Sequence, residues 1–135
     1  MTAPHIRILQ PAGWAPPRGY ANGVAAEGRT VFVAGQVGWN AQGQFDTDDF
    51  VGQVEQALAN VVAVLQAGGA LPEHLVRMTW YVTDKAAYVA RQKEVGDVYR
   101  RLIGRHFPAM TLVVVAGLLE DGALVEIEAT AVLPV

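Results

Sequence analysis

Residues 125–131 alternate strictly. Val125, Ile127, Ala129 and Ala131 are apolar, and Glu126, Glu128 and Thr130 stand between them. Successive side chains of a strand point to opposite faces, so one face of this strand belongs to a core and the other presents two carboxylates. The preceding run, Thr111 to Leu119, is opened by Pro108-Ala109-Met110 and closed by a Glu120-Asp121-Gly122 turn. It is apolar on both faces, with Met110, Leu112, Val114 and Ala116 on one and Val113 and Val115 on the other. The glutamate face is either wet, as in many antiparallel sheets, or covered, as a sheet apolar on both sides requires. The run at 111–119 argues for cover, and a covered carboxylate needs a partner or a task.

At 135 residues the chain is read as one domain, 1–135, with no composition break to divide it. Hydrophobic residues make up 52% and charged ones only 17%, which is low for a surface facing water alone and points to a buried interface. No apolar stretch approaches the roughly 18 residues of a membrane span. Met1 to His5 has neither a basic nor an apolar leader region, so a cytoplasmic protein is the default expectation. Without cysteine there is no disulfide framework, thiolate nucleophile or cysteine-based metal site. His5, His74 and His106 lack ligand spacing and are read as surface or helix-end residues, so no metal is expected. A net charge of −3 with no Lys/Arg cluster offers nothing to a phosphate backbone, and nucleic acid is not an expected partner.

Periodicity and punctuation set the order of elements. A short strand at Ile6 to Leu9 stops at Gln10-Pro11-Ala12-Gly13. Tyr20 to Ala26 and Thr30 to Ala34 flank the turn Glu27-Gly28-Arg29 and read as a hairpin. Asp46, Asp48 and Asp49 suit a helix N-terminus. Phe50, Val54, Leu58, Val61 and Leu65 then recur at helical steps up to Gly68-Gly69. Leu75 to Thr83 is rich in strand formers, Asp84 is a candidate N-cap, and Tyr88, Val95, Tyr99 and Ile103 mark a second helix ended by Gly104. The predicted order is β-β-β-α-β-α-β-β. Right-handed crossovers place both helices on one face of the sheet. The face left bare predicts self-association, most simply as a closed ring of identical subunits.

The chain resembles the RidA family, also called YjgF or reactive intermediate deaminases, over nearly its whole length. The landmarks are Gly19-Tyr20, Val33-Ala34-Gly35-Gln36, Gln53 to Gly69 with Gln56, Asn60 and Leu65, Met78 to Asp84, Phe107-Pro108-Ala109, and Val125 to Val132. The resemblance implies an α+β fold shared with trimeric chorismate mutase: a mixed sheet with two helices on one face, assembled as a barrel-like homotrimer with clefts between subunits. In the deaminase branch those clefts hydrolyse reactive enamines and imines to ketones and ammonia with no metal or organic cofactor. An arginine after Pro-Ala binds the substrate carboxylate, and a glutamate in the last strand positions water.

Transferred to this chain, the resemblance places that glutamate at Glu126, the loop tyrosine at Tyr20 and the Gly-Gln pair at Gly35 and Gln36. Met110 stands where the family has its arginine, Ala34 where it has a serine, and Leu112 where a small polar or thiol side chain is frequent. A thioether cannot replace the paired, charge-assisted hydrogen bonds of a guanidinium. Glu126 is therefore expected in a half-buried cleft beside Met110, Leu112 and Val114, as proton-handling group or as acceptor for interface N–H groups. Tyr20 orients a ligand or packs, Trp39 walls the cleft or fills the interface, and Met110 lines a pocket or fills core. Glu128 is placed nearer solvent or in an inter-subunit network.

Two function classes survive. One is a hydrolytic deaminase for an enamine or imine other than a simple α-imino acid. The other is a trimeric small-molecule-binding or protein-protective protein without catalysis. Chorismate mutase chemistry ranks below both, because a dicarboxylate substrate needs cationic anchors.

Overall fold

The computed structural model describes residues 3–135, so Met1 and Thr2 of the proposed leader-free start lie outside it. Three strands come first, β1 (Ile6–Leu9), β2 (Gly23–Ala26) and β3 (Arg29–Val37). Helix α1 (Phe50–Ala67) and strand β4 (Leu75–Val82) follow, separated by a single 3₁₀ turn at Pro72–His74. Helices α2 (Lys85–Ala90) and α3 (Gln92–Leu102) lead to β5 (Ala109–Val114) and β6 (Val125–Leu133). The fold is α+β: a four-stranded mixed sheet in the order β3-β6-β4-β5, with helices packed on one face, and a small β1-β2 sheet beside it.

Local chemistry explains the helices. Asp49 caps α1 by accepting from the Gly52 N–H at 3.0 Å. Val54, Leu58, Val61 and Leu65 are fully buried along one stripe. At the other end the Gly68 N–H returns to the Leu65 carbonyl, and Gly69, at φ +80°, turns the chain away. Asp84 caps α2 through the Ala87 N–H, as its position predicts. The predicted second helix is divided at Arg91, whose φ of −117° and ψ of 18° leave the helical region. The Arg91 side chain bonds Glu94 at 2.7 Å and the α1 cap Asp49 at 3.0 Å, tying the start of α3 to that of α1. This guanidinium, with the Gly52 N–H, holds the Asp49 carboxyl below its usual range.

Topology explains why the helices share a face. Strands β3 and β4 both run antiparallel to β6, and β4 runs parallel to β5. The crossovers β3-α1-β4 and β4-α2-α3-β5 therefore step across the sheet in one direction, and a common hand puts them on one side. Between helices and sheet lies the core, centred on Leu58, Leu65, Leu75, Met78 and Ile127.

Three expectations need correction. The hairpin does not form: β2 pairs with β1, Ile6 opposite Ala26, and β3 pairs with β6, Val31 opposite Ala131. Turn residues mark a change of direction and not the strand that follows, and Gly28, at φ +149°, delivers the chain to the end of β6. Strand β5 occupies 109–114 instead of 111–119, and β4 separates it from β6. Beyond Val114 only the Val115 N–H continues the ladder, to the Val82 carbonyl. Finally, His106 is buried, not superficial: its Nε2 bonds the Leu75 carbonyl. His5 and His74 are half-buried, and His74 does sit at a helix end, accepting the Leu71 N–H.

Burial depresses the pKa of His106 below the ordinary imidazole value of about 6.5, against the smaller opposing effect of its bond to Leu75. The folded protein thus binds this proton less readily than the unfolded chain. The contribution to stability is complete above about pH 6.5 and declines as pH falls from there toward the depressed value. Urea midpoints between pH 7.5 and 5 should fall more steeply for the parent than for His106→Gln. Equal slopes would show that His106 does not drive the decline.

Candidate functional site

Glu126 lies on the sheet face turned away from the helices. Register places it beside Tyr81 of β4, which in turn lies beside Val113 of β5. The same face presents Phe32, 77% exposed and opposite Thr130. Strand β3 is irregular between Val33 and Gln36, and the Gln36 side chain bonds the Ala34 carbonyl across that irregularity at 3.0 Å. The Glu126 carboxylate lies over Gly35: a Cβ there would sit 2.8 Å from Glu126 Cδ and would overlap the carboxylate itself. Ala34, Gly35, Gln36 and Glu126 thus form one unit, in which the glycine makes room for the acid. Nearby, the Tyr81 hydroxyl donates to the exposed Glu128 carboxylate, which pushes the tyrosine pKa up. The Glu126 charge adds to that shift and Arg77 opposes it.

Met110 and Leu112 lie on the other face. They stand in register with Met78 and Trp80, whose side chains are buried beneath the helices. Met110 opens onto a cavity of about 300 Å³ between the β4-β5 edge and helices α2 and α3. Its walls include Trp80, Tyr88, Val95, Tyr99 and Phe107. Tyr99 is fixed by donating to the His106 carbonyl at 2.7 Å and by stacking on Phe107 at 5.4 Å between centroids. Gly19 reaches the cavity rim because the Ala21 N–H bonds the Pro108 carbonyl, which holds the first loop against the start of β5. Tyr20, next to Gly19, is 41% exposed.

The predicted cleft residues therefore fall into two groups on opposite sides of one sheet. Glu126 is not held among Met110, Leu112 and Val114, because strand alternation in β5 and β6 sends the acid and those three side chains to opposite faces. Trp39 belongs to neither group. It packs on Phe45 at 6.0 Å, and its carbonyl accepts from Asn60. The cavity residues Trp80, Gly96 and Arg100 were not singled out from sequence. A glycine inside a helical repeat and an indole inside a buried strand were the available signals.

Gln53 and Asn60 brace the carboxylate side from below. Fully buried Gln53 donates to the Thr47 and Gly122 carbonyls and accepts from the Leu124 N–H. Asn60 donates to the Val37 and Trp39 carbonyls. Among the described residues no group of three His, Cys, Asp or Glu side chains could hold a metal ion. Nor is any described helix long and apolar enough to cross a membrane.

Helices on one face of a mixed sheet, with an acid over a glycine on the other, define an α+β protein of one structural class. The family described as endoribonuclease L-PSP matches residues 12–133, and the chain belongs to that family, which is also known as RidA, YjgF or UK114. A goat relative named 2-iminobutanoate/2-iminopropanoate deaminase is 36% identical over 105 residues, covering 77% of this chain and 73% of that protein. The crystal structure of YyfB, a Rid family protein of Yersinia pestis, is 34% identical. It superposes with a TM-score of 0.84 over 96% of this chain and 99% of its own. Rv2704 of Mycobacterium tuberculosis is 36% identical, with a TM-score of 0.63 over 85% of this chain and 87% of its own.

Proposed function

We propose that the protein is a hydrolytic deaminase of a reactive imine or enamine other than a simple α-imino acid, acting in clefts between the subunits of a homotrimer. The single observation that carries this reading is Glu126 seated over Gly35, a carboxylate given its place by the absence of a side chain. Glu126 and the Met110 cavity cannot meet within one chain, since a sheet separates them. A neighbouring copy docked on the exposed face around Phe32 would bring the acid of one subunit to the cavity of the next.

The chemistry needs only water and a group that handles protons. Glu126 accepts a proton as water attacks the carbon of the protonated imine, giving a carbinolamine. It then returns that proton to nitrogen and takes up the hydroxyl proton as the C–N bond breaks, and ketone and ammonia leave, the ammonia carrying that last proton away as ammonium. Protonated imine plus water balances ketone plus ammonium, so the step draws on no cofactor. The small-molecule substrate suits a chain of net charge −3 better than RNA does.

The test is semicarbazide competition on imines released in place by an amino-acid oxidase, with and without the protein. Faster loss of an apolar imine supports the reading. No response across the panel, with apolar ligands still binding, transfers the cleft to the non-catalytic binding class. Sedimentation giving a lone monomer would remove the cleft altogether.

Met110→Arg should create activity on small α-imino acids. A charge-assisted pair to carboxylate is worth about 1.5–3 kcal/mol, so kcat/KM should rise roughly tenfold to hundredfold. No gain would mean that a side chain at position 110 does not reach the substrate carboxylate.

A further inference from the structure

Two costly features meet in the Met110 cavity. Gly96 occupies the middle of α3, where glycine destabilises a helix relative to alanine. Packing does not demand it, because a Cβ at 96 would meet only the Arg100 Nη1, at 3.6 Å. The missing side chain leaves open space in the cavity, which Gly96 and Arg100 both line. Trp80, only 3% exposed, lines the same cavity, and its Nε1–H is buried with no hydrogen-bond partner. An orphaned donor of this kind is destabilising, because it has given up water without gaining a partner. A ligand that fills the space and accepts that hydrogen bond gives a reason for both.

We propose that the cavity binds an aromatic carboxylate, with Arg100 as the anchor that residue 110 does not provide. Arg100 already pairs with Asp97 through Nη2, and its half-exposed fork has donors left for a second carboxylate. The ligand's ring lies among Tyr88, Tyr99, Phe107 and Met110. A hydrogen-bond acceptor on the ring takes the Trp80 N–H once the ligand has parted the side chains that seal it from the empty cavity. As an assignment of substrate this rests on the hydrolytic reading: the substrate is the imine of an amino acid with a bulky aromatic side chain, not a small one. As a binding site it stands apart from catalysis.

The experiment measures binding to the full-length assembled protein by calorimetry, using 3-phenylpropanoate, its neutral amide and 3-(4-hydroxyphenyl)propanoate. Arg100→Gln should weaken both carboxylates by about tenfold or more and leave the amide within about twofold, as expected for loss of one charge-assisted pair. Gly96→Leu should abolish binding of all three while the thermal midpoint holds or rises, which separates a filled cavity from a damaged fold. In ¹⁵N spectra one of the three indole resonances should shift with the hydroxylated probe and be missing in Trp80→Phe. Failure of the carboxylates to bind, indifference to Arg100→Gln, or an unmoved Trp80 resonance overturns the proposal. Binding that depends on Arg100 without hydrolysis of any imine refutes the deaminase reading and keeps this site. Hydrolysis with binding indifferent to Arg100 does the reverse.

Discussion

Glu126→Gln should lower kcat/KM on any imine substrate by about 10²–10⁴-fold, the usual range for removal of a positioned proton-handling group. The amide is nearly isosteric with the acid and keeps the contact over Gly35, so the thermal midpoint and the oligomeric state should hold. Gly35→Ala tests the same placement from the backbone side. Its methyl group enters the space of the carboxylate and displaces the acid while leaving its chemistry intact. Misplacement by about 1 Å can cost about 10²-fold, and the loss should appear in kcat with modest change in stability, because the side-chain end can swing toward the exposed face. Full activity in either variant would remove Glu126 from the reaction.

Gln53→Leu should give the largest loss of stability. The glutamine amide links three backbone groups from two loops: Thr47 before α1, and Gly122 and Leu124 before β6. Leucine fills a similar volume but takes away the partner of two carbonyls and one N–H in part-buried positions, each loss costing about 1 kcal/mol. Urea unfolding at fixed protein concentration should show a loss on the order of 3 kcal/mol. A loss below about 1 kcal/mol would mean that those backbone groups find other partners. Because Glu126 begins two residues beyond Leu124, partial loss of activity at temperatures well below unfolding is also expected.

Particular residues show how much was legible beforehand. Local rules were sufficient for α1, where Asp49, the apolar stripe and Gly68-Gly69 lie within hydrogen-bonding range of what they control. The same holds for the Asp84 cap and for the two faces of β6. The division at Arg91 was not legible, because one partner of that guanidinium is Asp49, 42 positions away in the chain. Pairing of β1 with β2 and of β3 with β6 was missed for a related reason. A turn such as Glu27-Gly28-Arg29 has the same composition whichever strand the chain meets next.

The candidate site divides along that boundary. The family resemblance, and not spacing or periodicity, marked Glu126, Gly35 and Gln36 as candidates for one side of a site and Met110 as the residue standing at the anchor position. Strand alternation is a property of the chain itself, and it already separates Glu126 from Ile127. Which strand lies beside which, and therefore which side of the sheet Met110 shares with Trp80, Gly96 and Arg100, was decided only when helices packed over the sheet. Helix caps and face alternation act over a few residues and can be read in order. Cavities and orphaned donors arise between segments far apart in the chain, and three-dimensional packing alone brings them together.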